Sequence, residues 1–163
     1  AYADVRHRLE RTGASPRVTV WSLVSLAIFR EEFDVAFAFL DEAAHLIDNP
    51  FLVDEPDGPC PMPEGWRVAF YRGTLHAQRG EFAQARDALD AAHAISAEPD
   101  SANNLGIALA QCGDPPSGRT CFALALAMRP EYLDARLNLE SESPNRITTH
   151  PLRRLRARAD YAA

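Results

Sequence analysis

The chain has 163 residues, 47% hydrophobic and 25% charged, a balance that supports a buried core and excludes a disordered or collagen-like polymer. Its net charge of −6 is uneven: residues 1–30 hold five arginines and two acids, residues 31–142 seven and twenty, and residues 143–163 five and one. The acidic middle disfavours nonspecific nucleic-acid binding, and no apolar run approaches the roughly 20 residues of a membrane span. Hydrophobic periodicity and breaker residues predict helices over 2–12, 17–30, 33–48, 65–79, 82–96, 100–112, 116–129, 131–141 and 150–161. Between the third and fourth lies an insertion, FLVDEPDGPCPMPEG (51–65), with four prolines and no helical period. The last segment, HPLRRLRARADYA, reads as a terminal capping helix, polar outside, covering an apolar face.

An internal period organises these elements. Gly73, Gly80, Leu89 and Ala92 are followed at a displacement of 33 by Gly106, Gly113, Phe122 and Ala125. Asn104-Leu105 returns as Asn138-Leu139 after 34 residues, and Phe33, Ala36, Leu40 and Ala43 return as Phe82, Ala85, Leu89 and Ala92 after 49, one repeat plus the insertion. Such a pattern predicts antiparallel helix pairs that approach closely at small residues (Gly73, Ala85, Gly106, Gly118), with Leu89, Leu105 and Phe122 filling the space between. Gly80 and Gly113 stand where first helices would end in a left-handed cap, Pro115 suits a first turn, and Pro99 and Pro130 would stop second helices.

This spacing resembles the tetratricopeptide repeat family, a 34-residue helix-pair unit. The third unit fits best, with Ala102, Leu105, Gly106, Gly113, Phe122, Ala125 and Pro130 in register. In the first unit Val24 and Glu31 stand where glycines belong, and in the partial fourth Glu140 replaces Gly. The resemblance implies an all-α, right-handed superhelix in one domain, with repeats at about 17–50, 66–99 and 99–132, a partial unit at 133–142, the loop at 51–65 and a cap at 150–161. It also implies a concave groove lined by first helices. Mapped residue by residue, that groove holds Trp21 and Ser25, then Arg67, Phe70, Tyr71, Thr74 and Gln78, then Asn103, Asn104 and Ile107, and finally Asn138. Amides there would satisfy the backbone of an extended peptide or helix while the aromatics offer apolar pockets. Asn104 and Asn138 match a position that some members use as a ladder for peptide backbone, and asparagine is also common there for structural reasons. The two-lysine carboxylate clamp of other members is absent, because the chain has no lysine and its 17 basic residues are all arginine. That exclusive use of arginine fits a GC-rich, bacterial genome.

Chemistry-bearing alternatives are weaker. Glu42-Ala-Ala-His45 and Asp90-Ala-Ala-His93 pair a carboxylate with an imidazole on one helix face, as in di-iron bundles, but their separation of 48 is out of register with the repeat. No G-x-S-x-G, H-E-x-x-H or phosphate loop occurs. Cys60, Cys112 and Cys121 form an odd set without C-x-x-C, pointing to a reducing, cytoplasmic setting, with Cys112 and Cys121 placed toward the interior and Cys60 in the loop. His76 takes the place of a large packing residue. The acidic loop would be a solvated surface or a dock for a basic partner, and Arg153, Arg154, Arg156 and Arg158 the outer face of the cap. The sequence thus predicts a non-catalytic protein-interaction module without metal or cofactor. The alternatives are a small secretion-type chaperone or a self-assembling scaffold that joins basic ends to acidic middles.

Overall fold

The computed structural model describes residues 1–48 and 63–149. Most of the insertion, Cys60 and the predicted cap at 150–161 lie outside the described residues. Within them the protein is all-helical: α1 (Tyr2–Arg11), α2 (Pro16–Phe29), α3 (Phe33–Asp48), α4 (Glu64–Gln78), α5 (Phe82–Ile95), α6 (Pro99–Gln111), α7 (Pro115–Met128) and α8 (Leu133–Glu140). The chain divides into two compact units, Ala1–Cys60 and Pro61–Ala163.

In the first unit, Ser15 starts α2 by accepting a bond from the Val18 N–H (3.2 Å), with Pro16 in the first turn, where no donor is needed. Helix α2 packs on α3. Val20, Leu23, Val24 and Ala27 are buried on α2, and on α3 the buried Ala36, Leu40 and Ala43 recur every three to four residues along one face. Arg6 of α1 donates two bonds to the Glu42 carboxylate of α3 (2.8 and 2.7 Å), and Tyr2 stands edge-on to Phe39 at 5.3 Å.

In the second unit, α4 packs on α5, α5 on α6, α6 on α7 and α7 on α8, while α6 also touches α4 and α8. The two tight pairs are built alike. A β-carbon on Gly73 would lie 2.5 Å from Leu89 Cγ and 3.1 Å from the Ala85 carbonyl oxygen. On Gly106 it would lie 2.6 Å from Phe122 Cε1 and 2.8 Å from the Gly118 carbonyl oxygen. Gly73, Ala85 and Leu89 are thus matched, 33 residues on, by Gly106, Gly118 and Phe122, and in each pair the missing side chain leaves room for a large one opposite.

Helix ends repeat as well. After α4 the Glu81 N–H reaches back to the His76 carbonyl (2.9 Å), and after α6 the Asp114 N–H reaches the Leu109 carbonyl (3.0 Å). Both closures pass through a glycine with positive φ, Gly80 at 75° and Gly113 at 92°. The corresponding residue after α2 is Glu31, with φ of 58°, and Glu32 donates to Ala27 at 3.0 Å in the same way. The turn geometry is kept where the glycine is not.

Two local expectations need correction. Pro99 does not stop α5, which ends at Ile95; it sits in the first turn of α6, since its missing N–H costs nothing there. Cys112 is exposed rather than interior, because it follows the last residue of α6 at a turn instead of facing α7.

Candidate functional site

Helix α6 carries a run of buried residues from Pro99 to Ala108, including Asp100, Asn103 and Asn104. Polar side chains at this depth need partners. Asn103 and Asn104 find theirs in the segment that leaves α8 and runs back along α6, and Asp100 finds its own in Arg129 and Tyr132. The Gln111 amide donates to the Pro144 carbonyl (3.4 Å) near the end of α6, and the contacts below follow toward its start.

Asn138 accepts at Oδ1 from the backbone N–H of Asn145 (3.2 Å) and of Arg146 (2.9 Å), and its Nδ2 donates to the Arg146 carbonyl (3.2 Å). Asn104 does the same one repeat earlier: Oδ1 accepts from the Thr148 N–H (2.8 Å) and Nδ2 donates to the Thr148 carbonyl (2.9 Å). Each side-chain amide therefore closes a two-bond ring with the main chain of a single residue. Asn103 bridges the two, receiving Asn138 Nδ2 at Oδ1 (2.9 Å) and donating to the Arg146 carbonyl (2.9 Å) and to Asn104 Oδ1 (3.1 Å). Thr74 of α4 extends the row by accepting from Asn104 Nδ2 (3.0 Å). The held segment contains a tight turn at Arg146, where the Ile147 N–H donates to the Asn145 carbonyl (3.0 Å).

Next to this row lies a charged support. Arg129 donates to both Asp100 oxygens (3.2 and 3.0 Å), and its guanidinium lies 4.8 Å from the centre of the Tyr132 ring. Burial works against the Arg129 charge, but the bond to Asp100 and the negative charge there outweigh it and raise the pKa further above the usual arginine range. The Tyr132 hydroxyl donates to Asp100 Oδ1 (3.1 Å) and is also hydrogen-bonded to Thr148 Oγ1.

Of the residues mapped from the sequence, Thr74, Asn103, Asn104 and Asn138 come together here. Ile107 is buried on the same helix. Phe70 and Tyr71 are buried in α4, where Phe70 stacks on Trp66 at 4.7 Å and meets Tyr71 edge-on at 5.5 Å, while Arg67 is half-buried and Gln78 exposed. Trp21, buried, and Ser25, whose hydroxyl donates to the Trp21 carbonyl (2.9 Å), belong to the first unit. Tyr132, Arg129 and Thr148 were not legible as site residues; nothing in SESPNRITT, which has no period and no motif, marks it as a partner of α6 residues 33 to 45 positions away. The one available signal was the pair of asparagines a repeat apart.

Two of the chemistry-bearing side chains are engaged by neighbours. Glu42 is held by Arg6, and His76 Nδ1 lies 2.6 Å from Glu81 Oε2, so this histidine is partnered. The Cys121 thiol has its pKa raised by burial and then by the charges of Asp90 and Asp114. That leaves little thiolate at neutral pH. Among the described residues no three His, Cys, Asp or Glu side chains gather as a metal-ligating group, and no helix is long and apolar enough to cross a membrane. Comparison with family models gives no match for this chain, and comparison with curated proteins gives none either.

Proposed function

We propose that the chain is a non-catalytic interaction module of the tetratricopeptide type, whose helix pairs wind as a right-handed superhelix and whose first helices hold a polypeptide of a partner protein. The matched close approaches at Gly73 and Gly106 support the repeat, as do the common turn at Glu31, Gly80 and Gly113 and the contacts of α6 with both α4 and α8. The binding reading rests on one observation: Asn104 and Asn138 each bind the N–H and the C=O of one residue in a non-helical segment. A side-chain amide used in this way recognises main chain and not sequence, so any polypeptide lying in that path offers the same groups.

The test is capture of proteins from an extract of the source cells, with bound proteins identified by mass spectrometry. Loss of two hydrogen bonds at a desolvated contact corresponds to about 10- to 100-fold in affinity. Asn104→Ala and Asn138→Ala should each remove the same captured protein, whereas Asp87→Ala, exposed on α5, should retain it. Undiminished capture by both asparagine variants would refute this assignment.

A further inference from the structure

The main-chain contacts are indifferent to side chain, but the contact at Thr148 is not. Its Oγ1 lies in a buried polar site, hydrogen-bonded to the Tyr132 hydroxyl and 3.3 Å from Asn103 Nδ2. The Tyr132 hydrogen is committed to Asp100, whose two oxygens are held by Arg129. For both bonds to form, the Thr148 hydroxyl must donate to the Tyr132 oxygen, while the two Asn103 Nδ2 hydrogens serve the closer Arg146 carbonyl and Asn104 Oδ1. Arg146 and Asn145, by contrast, are exposed.

We propose that this surface takes a polypeptide segment whose serine or threonine fills the place of Thr148, and that residues 144–149 are its tethered competitor. The proposal rests on the peptide-binding reading above and specifies the ligand's chemistry. A residue without a hydroxyl would forfeit the bond to Tyr132 inside a buried site, and sites built around a hydroxyl reject analogues that lack it. Tethering through the short Ser141–Ser143 connection gives the resident segment an effective concentration on the order of millimolar, so a free peptide must displace it.

Fluorescence anisotropy on the full chain tests this with a labelled peptide of residues 143–149, Ser-Pro-Asn-Arg-Ile-Thr-Thr, and the same peptide carrying Thr148→Val. The comparison chain carries Arg146→Pro and Thr148→Pro, which delete two N–H donors to Asn138 and Asn104 while leaving the receiving residues intact. The opened chain should bind the native peptide at least tenfold more tightly than the wild-type chain does, and should prefer it over the valine peptide by about tenfold. Equal binding of the two peptides that still falls with Asn104→Ala overturns the hydroxyl assignment and leaves the main-chain reading standing. Binding of neither peptide to an opened chain that melts cooperatively overturns both. If the double-proline chain loses its cooperative melt, Thr148→Val in the chain itself is used, and no gain in peptide affinity over wild type there also overturns the proposal.

Discussion

Glu31 offers a substitution whose sign can be worked out from the repeat. It holds φ at 58° in the turn after α2, where the equivalent turns use Gly80 and Gly113. The left-handed region costs an L-residue about 1–2 kcal/mol relative to the right-handed one, through contact of its β-carbon with the following carbonyl. Glycine escapes that cost but loses more chain entropy on folding, about 0.5–1 kcal/mol. Glu31 is also exposed and sits at the negative end of the α2 dipole, where an acidic side chain is unfavourable. Glu31→Gly should therefore stabilise the protein by about 0.5–1 kcal/mol, or about 1–4 °C in melting temperature for a chain of this size. Gly80→Ala, which has open space around its added β-carbon but the wrong backbone angle, should destabilise by about 1 kcal/mol. Guanidinium denaturation followed by far-UV circular dichroism reads both. If Glu31→Gly lowers the midpoint, or if both substitutions move it in the same direction, the common left-handed turn is not what these positions share.

Gly106→Ala should cost about 1–3 kcal/mol, because its β-carbon meets the Gly118 carbonyl as well as the Phe122 ring. Adding Phe122→Leu should recover only part of the loss, and full recovery in denaturant melts would show that the backbone contact is not limiting. Asp114 caps α7 by accepting from the Ser117 N–H (3.1 Å), and hydrogen bonds from the Ser117 side chain and backbone hold its pKa below the ordinary 3.8. Its contribution is present above that ordinary value and is lost as pH falls through the depressed folded value. Asp114→Asn should then make stability less steep in pH below about 4, and an unchanged slope in acid titrations would refute the pairing. Hydrogen exchange followed by NMR should find the Thr148 amide protected in the native chain and fast in Asn104→Ala, with the Arg146 amide responding instead to Asn138→Ala. Loss of both amides in either variant would mean that the segment is released as one unit.

What the sequence determined by itself was local or periodic. Helix positions followed from the apolar spacing and from Gly80, Gly113 and Pro115, because capping and turn preferences act within a few residues. Gly73 and Gly106 pointed to close helix approaches because a position without a side chain, repeated 33 residues on, is most simply explained by another chain passing near it. Cys112 was misplaced because helical periodicity continues on paper one residue past the point where the backbone leaves the helix. Pro99 was misread because proline is compatible with the end of one helix and the first turn of the next, and only the ending of α5 at Ile95 separates the two. Asn104 and Asn138 could be listed from the sequence, but their use could not. An amide has both donors and an acceptor in any setting, and its partners are chosen by whichever backbone is brought beside it. Folding brought residues 144–149 there and set Thr148 against Tyr132, Asp100 and Arg129. Contacts spanning up to 45 residues of chain are decided by tertiary packing, because no propensity that acts within a few residues can encode them.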